Sequence, residues 1–109
     1  MYRTRRTIPS SYDDAIRTLV GWHRGLGGRG FRAYAFPDPS REVVRLVEVS
    51  SEVQDTGDLL PVTFGASEQF PFRSTVAMAT PRQWAQVMAG DLQLPEGWDS
   101  REMRQVYPE

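Results

Sequence analysis

The sequence predicts an α+β domain: a two-layer sandwich with a mainly antiparallel sheet of four to five strands, covered by an N-terminal and a C-terminal helix. Three observations lead there. Residues 42–50, EVVRLVEVS, hold four valines and a leucine in nine positions, and β-branched side chains pack well on a pleat but lose rotamer freedom in a helix. Apolar residues recur at steps of three and four from Tyr12 to Leu26, and again after Thr80, as in a helix with one buried stripe. Between these stretches, short apolar runs alternate with Pro, Gly, Asp and Ser, so consecutive strands are expected to pair antiparallel, with both helices on one face.

In chain order, residues 2–8 (YRTRRTI) suggest a short first strand ended by Pro9. Ser10 and Ser11 are candidate N-caps, and Asp13 and Asp14 follow where a helix N-terminus favours negative charge. Tyr12, Ala15, Ile16, Leu19, Val20, His23 and Leu26 then form one stripe, with Trp22 at its edge. Glycines 25, 27, 28 and 30 close that helix. Phe31–Phe36 is a strand, and Pro37-Asp38-Pro39-Ser40 turns it into the valine-rich strand, whose own place is inside the sheet. The polar stretch 51–58 is a loop, and Leu59–Phe64 is a strand placed at an edge or bend by Pro61. Phe72–Ala79 is a further strand, with Phe72, Ser74, Val76 and Met78 on one side.

Thr80, Pro81 and Gln83 spell a capping box with proline at the first helical position. Trp84, Val87 and Met88 form the stripe of that helix, and Gly90 stops it. Asp99 and Glu102 suggest a second box opening a short helical tail through Arg104, stapled by Trp98. The expected order is β-α-β-β-β-β-α plus that tail.

The 109 residues amount to one domain, 1–109, large enough to bury about two-thirds of its unfolded surface. Hydrophobic residues at 39% and charged residues at 25% fit an ordinary globular domain. No cysteine is present, so disulfides, thiolate catalysis and Cys-ligated zinc are excluded. His23 is the single histidine, which excludes His-rich metal sites. All 13 basic residues are arginine, and lysine and asparagine, whose codons are AT-rich, are absent; the expected source of that bias is a GC-rich, bacterial genome. No apolar run approaches the roughly 20 residues of a membrane span. MYRTRRTIPSS lacks the apolar stretch that a signal peptide requires after its positive charge. The expected location is the cytoplasm.

Gly25-Leu26-Gly27-Gly28-Arg29-Gly30 matches G-x-G-x-x-G. In dinucleotide sites a strand precedes that motif and a helix follows, placing amide donors at the phosphate. Here the order is reversed, so the glycines are expected to end a helix, and no cofactor is expected. Pro37-Asp38 with Glu42 and Glu48 is similar to the acid cluster of metal-dependent nucleases, but that pattern needs a lysine near its last acid, and Glu48 is followed by Val49 and Ser50. A carboxylate-dependent hydrolase is accordingly the third-ranked function. His23 lies on an apolar stripe, where a structural role outweighs a catalytic one, and no serine sits on a nucleophile elbow. No catalytic or metal-binding residue is expected.

Charge is unevenly distributed. Residues 1–36 carry seven arginines and two acids, and residues 37–109 carry six arginines and twelve acids. Arg3, Arg5, Arg6, Arg24, Arg29 and Arg32, interleaved with Tyr2, Trp22 and Phe31, combine cations with stacking surfaces suited to nucleic acid. Pairing of the basic segment with the acidic one, within the fold or across a dimer, is the favoured alternative, because the whole chain is acidic overall. Several of the 12 aromatic residues flank prolines, and aromatics on loops form apolar patches of the kind that mark interfaces. The first-ranked function is therefore a non-catalytic protein-interaction module that self-associates as a homodimer, through one or more of Leu59, Leu60, Phe64, Phe70 and Phe72. An unidentified protein is a further possible partner, nucleic acid ranks second, and no membrane partner is expected.

Overall fold

The computed structural model describes residues 9, 11–26, 31–37, 43–55 and 57–107, with residues 23–26 described by backbone alone. Its elements are α1 (Tyr12–Leu26), β1 (Arg32–Ala35), β2 (Val43–Val49), β3 (Val62–Phe64), β4 (Arg73–Ala79), α2 (Pro81–Ala89), a 3₁₀ turn (Ser100–Glu102) and β5 (Arg104–Tyr107). The fold is α+β, with one helix before the strands and the other after β4. The first strand expected over residues 2–8 lies outside the described residues.

The valine-rich strand lies inside the sheet, whose order is β3-β4-β2-β1-β5. It pairs antiparallel with β1, from Arg32 opposite Val49 to Ala35 opposite Leu46. On its other side it runs parallel to β4, from Val43 opposite Arg73 to Val49 opposite Ala79. That parallel pair departs from the expectation of successive antiparallel hairpins. The centre of a sheet is covered on both faces, so it favours a strand that is apolar on both. β4 buries Ser74 and Val76 on one side and Ala77 and Ala79 on the other, whereas every residue of β3 is exposed. The chain therefore leaves β2, forms β3 at the edge, and returns through β4 into the gap between them, with β3 and β4 antiparallel.

Alternation along the strands divides the interior into two clusters. Ala33 and Ala35 of β1, Val44 and Leu46 of β2 and Val76 of β4 pack with Ala15, Ile16, Leu19 and Val20 of α1. Tyr34, Phe36, Val47, Val49, Ala77 and Ala79 project to the opposite side and pack with Trp84 of α2, with Leu59 and with Trp98. The helices thus cover opposite faces of the sheet rather than sharing one. β2 is buried along both faces, with only Arg45 partly exposed.

Local signals account for the helix ends. Asp14 N donates to Ser11 Oγ (3.2 Å) and Ala15 N to Ser11 O (2.9 Å), so Ser11 caps α1. Gly90 ends α2 at φ 83°, in the left-handed region that glycine enters without strain. Met88, expected on the buried stripe of α2, is exposed. The tail also differs from expectation. Asp99 Oδ1 accepts from Arg101 N (2.9 Å), but the helical geometry lasts one turn and Met103 is extended. Arg104–Tyr107 then joins β1 as an edge strand. A helix this short gains little cooperative hydrogen bonding, whereas the strand satisfies the outer edge of β1 and brings the Tyr107 ring to 5.3 Å from that of Phe31.

Candidate protein-contact surface

The approach to β3 is fixed by the start of α2. Thr80 Oγ1 accepts from Gln83 N (3.1 Å), and Gln83 Oε1 accepts from Thr80 N (2.9 Å), completing the capping box. The remaining donor of the buried Gln83 amide, Nε2, reaches Gly57 O at 2.9 Å. Asp55 Oδ1 accepts from Gly57 N (3.0 Å), and Asp55 Oδ2 lies 3.0 Å from Arg82 Nη2. These hydrogen bonds, the Gly57 amide first and the Arg82 guanidinium after it, hold the Asp55 carboxyl below its usual pKa. The loop is thereby anchored to the helix N-terminus. Beyond the anchor, Leu59 enters the α2-side cluster and Leu60 faces solvent.

β3 then places Val62 opposite Val76 and Phe64 opposite Ser74. Paired residues share a face, so Val62 and Phe64 lie on the α1 side, together with Met78 two residues beyond Val76. α1 packs over β2 and β5, away from β3. Leu60, Val62, Phe64 and Met78 consequently stand 67%, 56%, 50% and 42% exposed. They form an apolar corner on a sheet whose other apolar side chains are largely covered.

Of the five expected interface residues, Leu60 and Phe64 belong to this corner and Phe72 is half-buried. Leu59 and Phe70 are packed inside the chain, Phe70 with ring centroids 5.3 Å from Trp22 and 6.2 Å from Phe72. Val62 and Met78 were not singled out by sequence. The alternation of Leu60, Val62 and Phe64 around Pro61 is a legible sign of an edge strand with one apolar face, and Met78 shares its alternation with Phe72.

Arg3, Arg5, Arg6 and Arg29, and the side chains of Arg24 and His23, lie outside the described residues. Arg32 is half-buried and donates to Tyr34 Oη at 3.4 Å. Asp38 and Glu42 also lie outside the described residues, while Glu48 is 1% exposed on the central strand. Among the described residues, no three Asp, Glu or His side chains come close enough to hold a metal ion. Of the glycine motif, Gly25 belongs to the last turn of α1, and β1 begins at Arg32, so a helix precedes the glycines and a strand follows. No helix among the described residues is long and apolar enough to cross a membrane. Compared with protein-family models, with curated proteins and with solved structures, the chain matches none.

Proposed function

We propose that this chain is a non-catalytic cytoplasmic protein-interaction domain that self-associates, with the corner formed by β3 and β4 as its contact surface. The supporting observation is the grouping of four exposed apolar side chains, Val62 and Phe64 on the edge strand β3, Leu60 just before it and Met78 on the neighbouring β4. Isolated exposed apolar residues are ordinary, but a contiguous group beside an open strand edge is a hazard unless something covers it. The opposite charges of the first third and the remainder also favour a two-fold contact that brings unlike surfaces together. Sedimentation equilibrium at tens of micromolar tests the proposal. The expected result is a homodimer burying at least roughly 1,200 Å² in total, with Leu60→Asp and Met78→Asp each shifting the protein to monomer. A wild-type monomer at that concentration overturns the proposal.

A further inference from the structure

We infer that the occupant of this corner is a second copy of the chain, joined edge to edge by antiparallel pairing of β3 with its own counterpart about a two-fold axis at Thr63. The inference rests on the preceding reading and adds the partner and the register.

β3 is the last strand of the sheet, and among the described residues nothing pairs with its outer edge. The chain carries no charge from Leu59 to Ser67. Strand edges that avoid their own copies usually carry charge; a neutral edge meets a copy of itself without repulsion. β5, at the opposite edge, is guarded instead by Arg104, whose Nη2 lies 3.5 Å from Asp13 Oδ1.

The register follows from the side chains. Thr63 lies on the α2 side, opposite Thr75, with the two hydroxyl oxygens 3.2 Å apart. An axis at Thr63 extends this pair into a row of four threonines, and cross-strand threonine hydroxyls stabilise a sheet. On the other face the same axis sets Val62 of each copy opposite Phe64 of its mate, so both apolar rows lie on one side. Pro61 then stands opposite Gly65, a ring against a residue without a side chain, and Gly65 has open space around it.

Leu60, Val62, Phe64 and Met78 expose on the order of 400 Å² per copy, in the range of functional patches on monomers. Val62 and Phe64 of the two copies pack against each other across the new strand pair, with Met78 flanking them on β4, as part of the roughly 800 Å² per partner that a stable interface buries. The exposed Pro61 and residues 65–67, with the paired backbones, extend the contact. The product is one continuous sheet in which the five described strands of each copy are joined through β3.

A single introduced cysteine tests the register, because the chain has no other. Opposed Cα atoms of an antiparallel pair lie about 4.5–5.5 Å apart, within disulfide reach. Thr63→Cys should form a covalent dimer under mild oxidation, whereas Thr75→Cys, one strand further from the axis in each copy, should not. Circular dichroism of both reduced variants checks that the fold is retained. A wild-type dimer in sedimentation with no cross-link through position 63 overturns the strand pairing and leaves self-association standing. A wild-type monomer overturns both.

Discussion

Gln83 ties the start of α2 to the loop before β3 through its side-chain amide and its backbone N–H. Its carbonyl oxygen and backbone N–H complete the cap with Thr80, and its amide nitrogen holds Gly57 O, 26 residues away in sequence. Thr80→Ala removes one of these bonds at a partly buried site, and should cost on the order of 1 kcal/mol in equilibrium denaturation. Gln83→Ala leaves both the Thr80 N–H and the Gly57 carbonyl without partners, and should cost about 2–3 kcal/mol. The spacing from Thr80 to Gln83 makes the cap legible in sequence. The Gly57 bond is not, because nothing in the polar stretch 51–58 specifies which helix it will meet.

Asp55 adds a pH dependence at the same junction. Its folded pKa is depressed, so the stability it contributes is fully present above its unfolded value and is lost as pH falls through the folded value. Asp55→Asn should flatten that part of the acid limb in a series of melting curves. Wild-type and variant curves that stay parallel down to acid pH would show that the Gly57 and Arg82 contacts do not favour the ionised form.

Among the elements, alanines set the distance between sheet and helices. Ala33 and Ala35 are fully buried on the α1 face, and Ala77 and Ala79 on the α2 face. A small residue lets a helix approach the strand backbone closely, and enlarging one in a filled core forces neighbours off their preferred rotamers. Ala35→Leu and Ala77→Leu should each lose about 1–3 kcal/mol in urea denaturation. Values near zero would show that the layers separate easily. β2, α1 and α2 are legible in sequence because each carries a period of its own: valines for the strand, three-and-four spacing for the helices. The parallel pairing of β2 with β4 is not, since it depends on competition between β3 and β4 for the central place. β5 is missed because the cap at Asp99 is a true helix signal that is spent after one turn.

At the scale of the molecule, the basic first third and the acidic remainder leave two partner classes to separate. A surface that binds nucleic acid backbones releases counterions, so its affinity falls steeply with salt. Single-stranded and duplex oligonucleotides are expected to bind no more tightly than nonspecific levels at physiological salt. Micromolar or tighter binding, lost on substitution of Arg3, Arg5 or Arg29 by alanine, would place nucleic acid ahead of a protein partner. The apolar corner is half legible: aromatic and aliphatic residues around Pro61 point to the region. Sequence could not separate Leu59 from Leu60, because the choice of which leucine turns inward is made by the anchored loop before them.

The central position of β2 also makes it a clock. It has a ladder partner on either side, and helices cover both of its faces. Its amides have no local route to water, so they should trade hydrogen for deuterium only when the whole domain opens. Exchange at Val44, Leu46 and Val47 should therefore report the global unfolding free energy, while the N–H groups of Val62 and Phe64 exchange sooner in dilute protein. As the protein is concentrated, the slow amides of β2 set the reference against which any slowing at the sheet's far edge is timed.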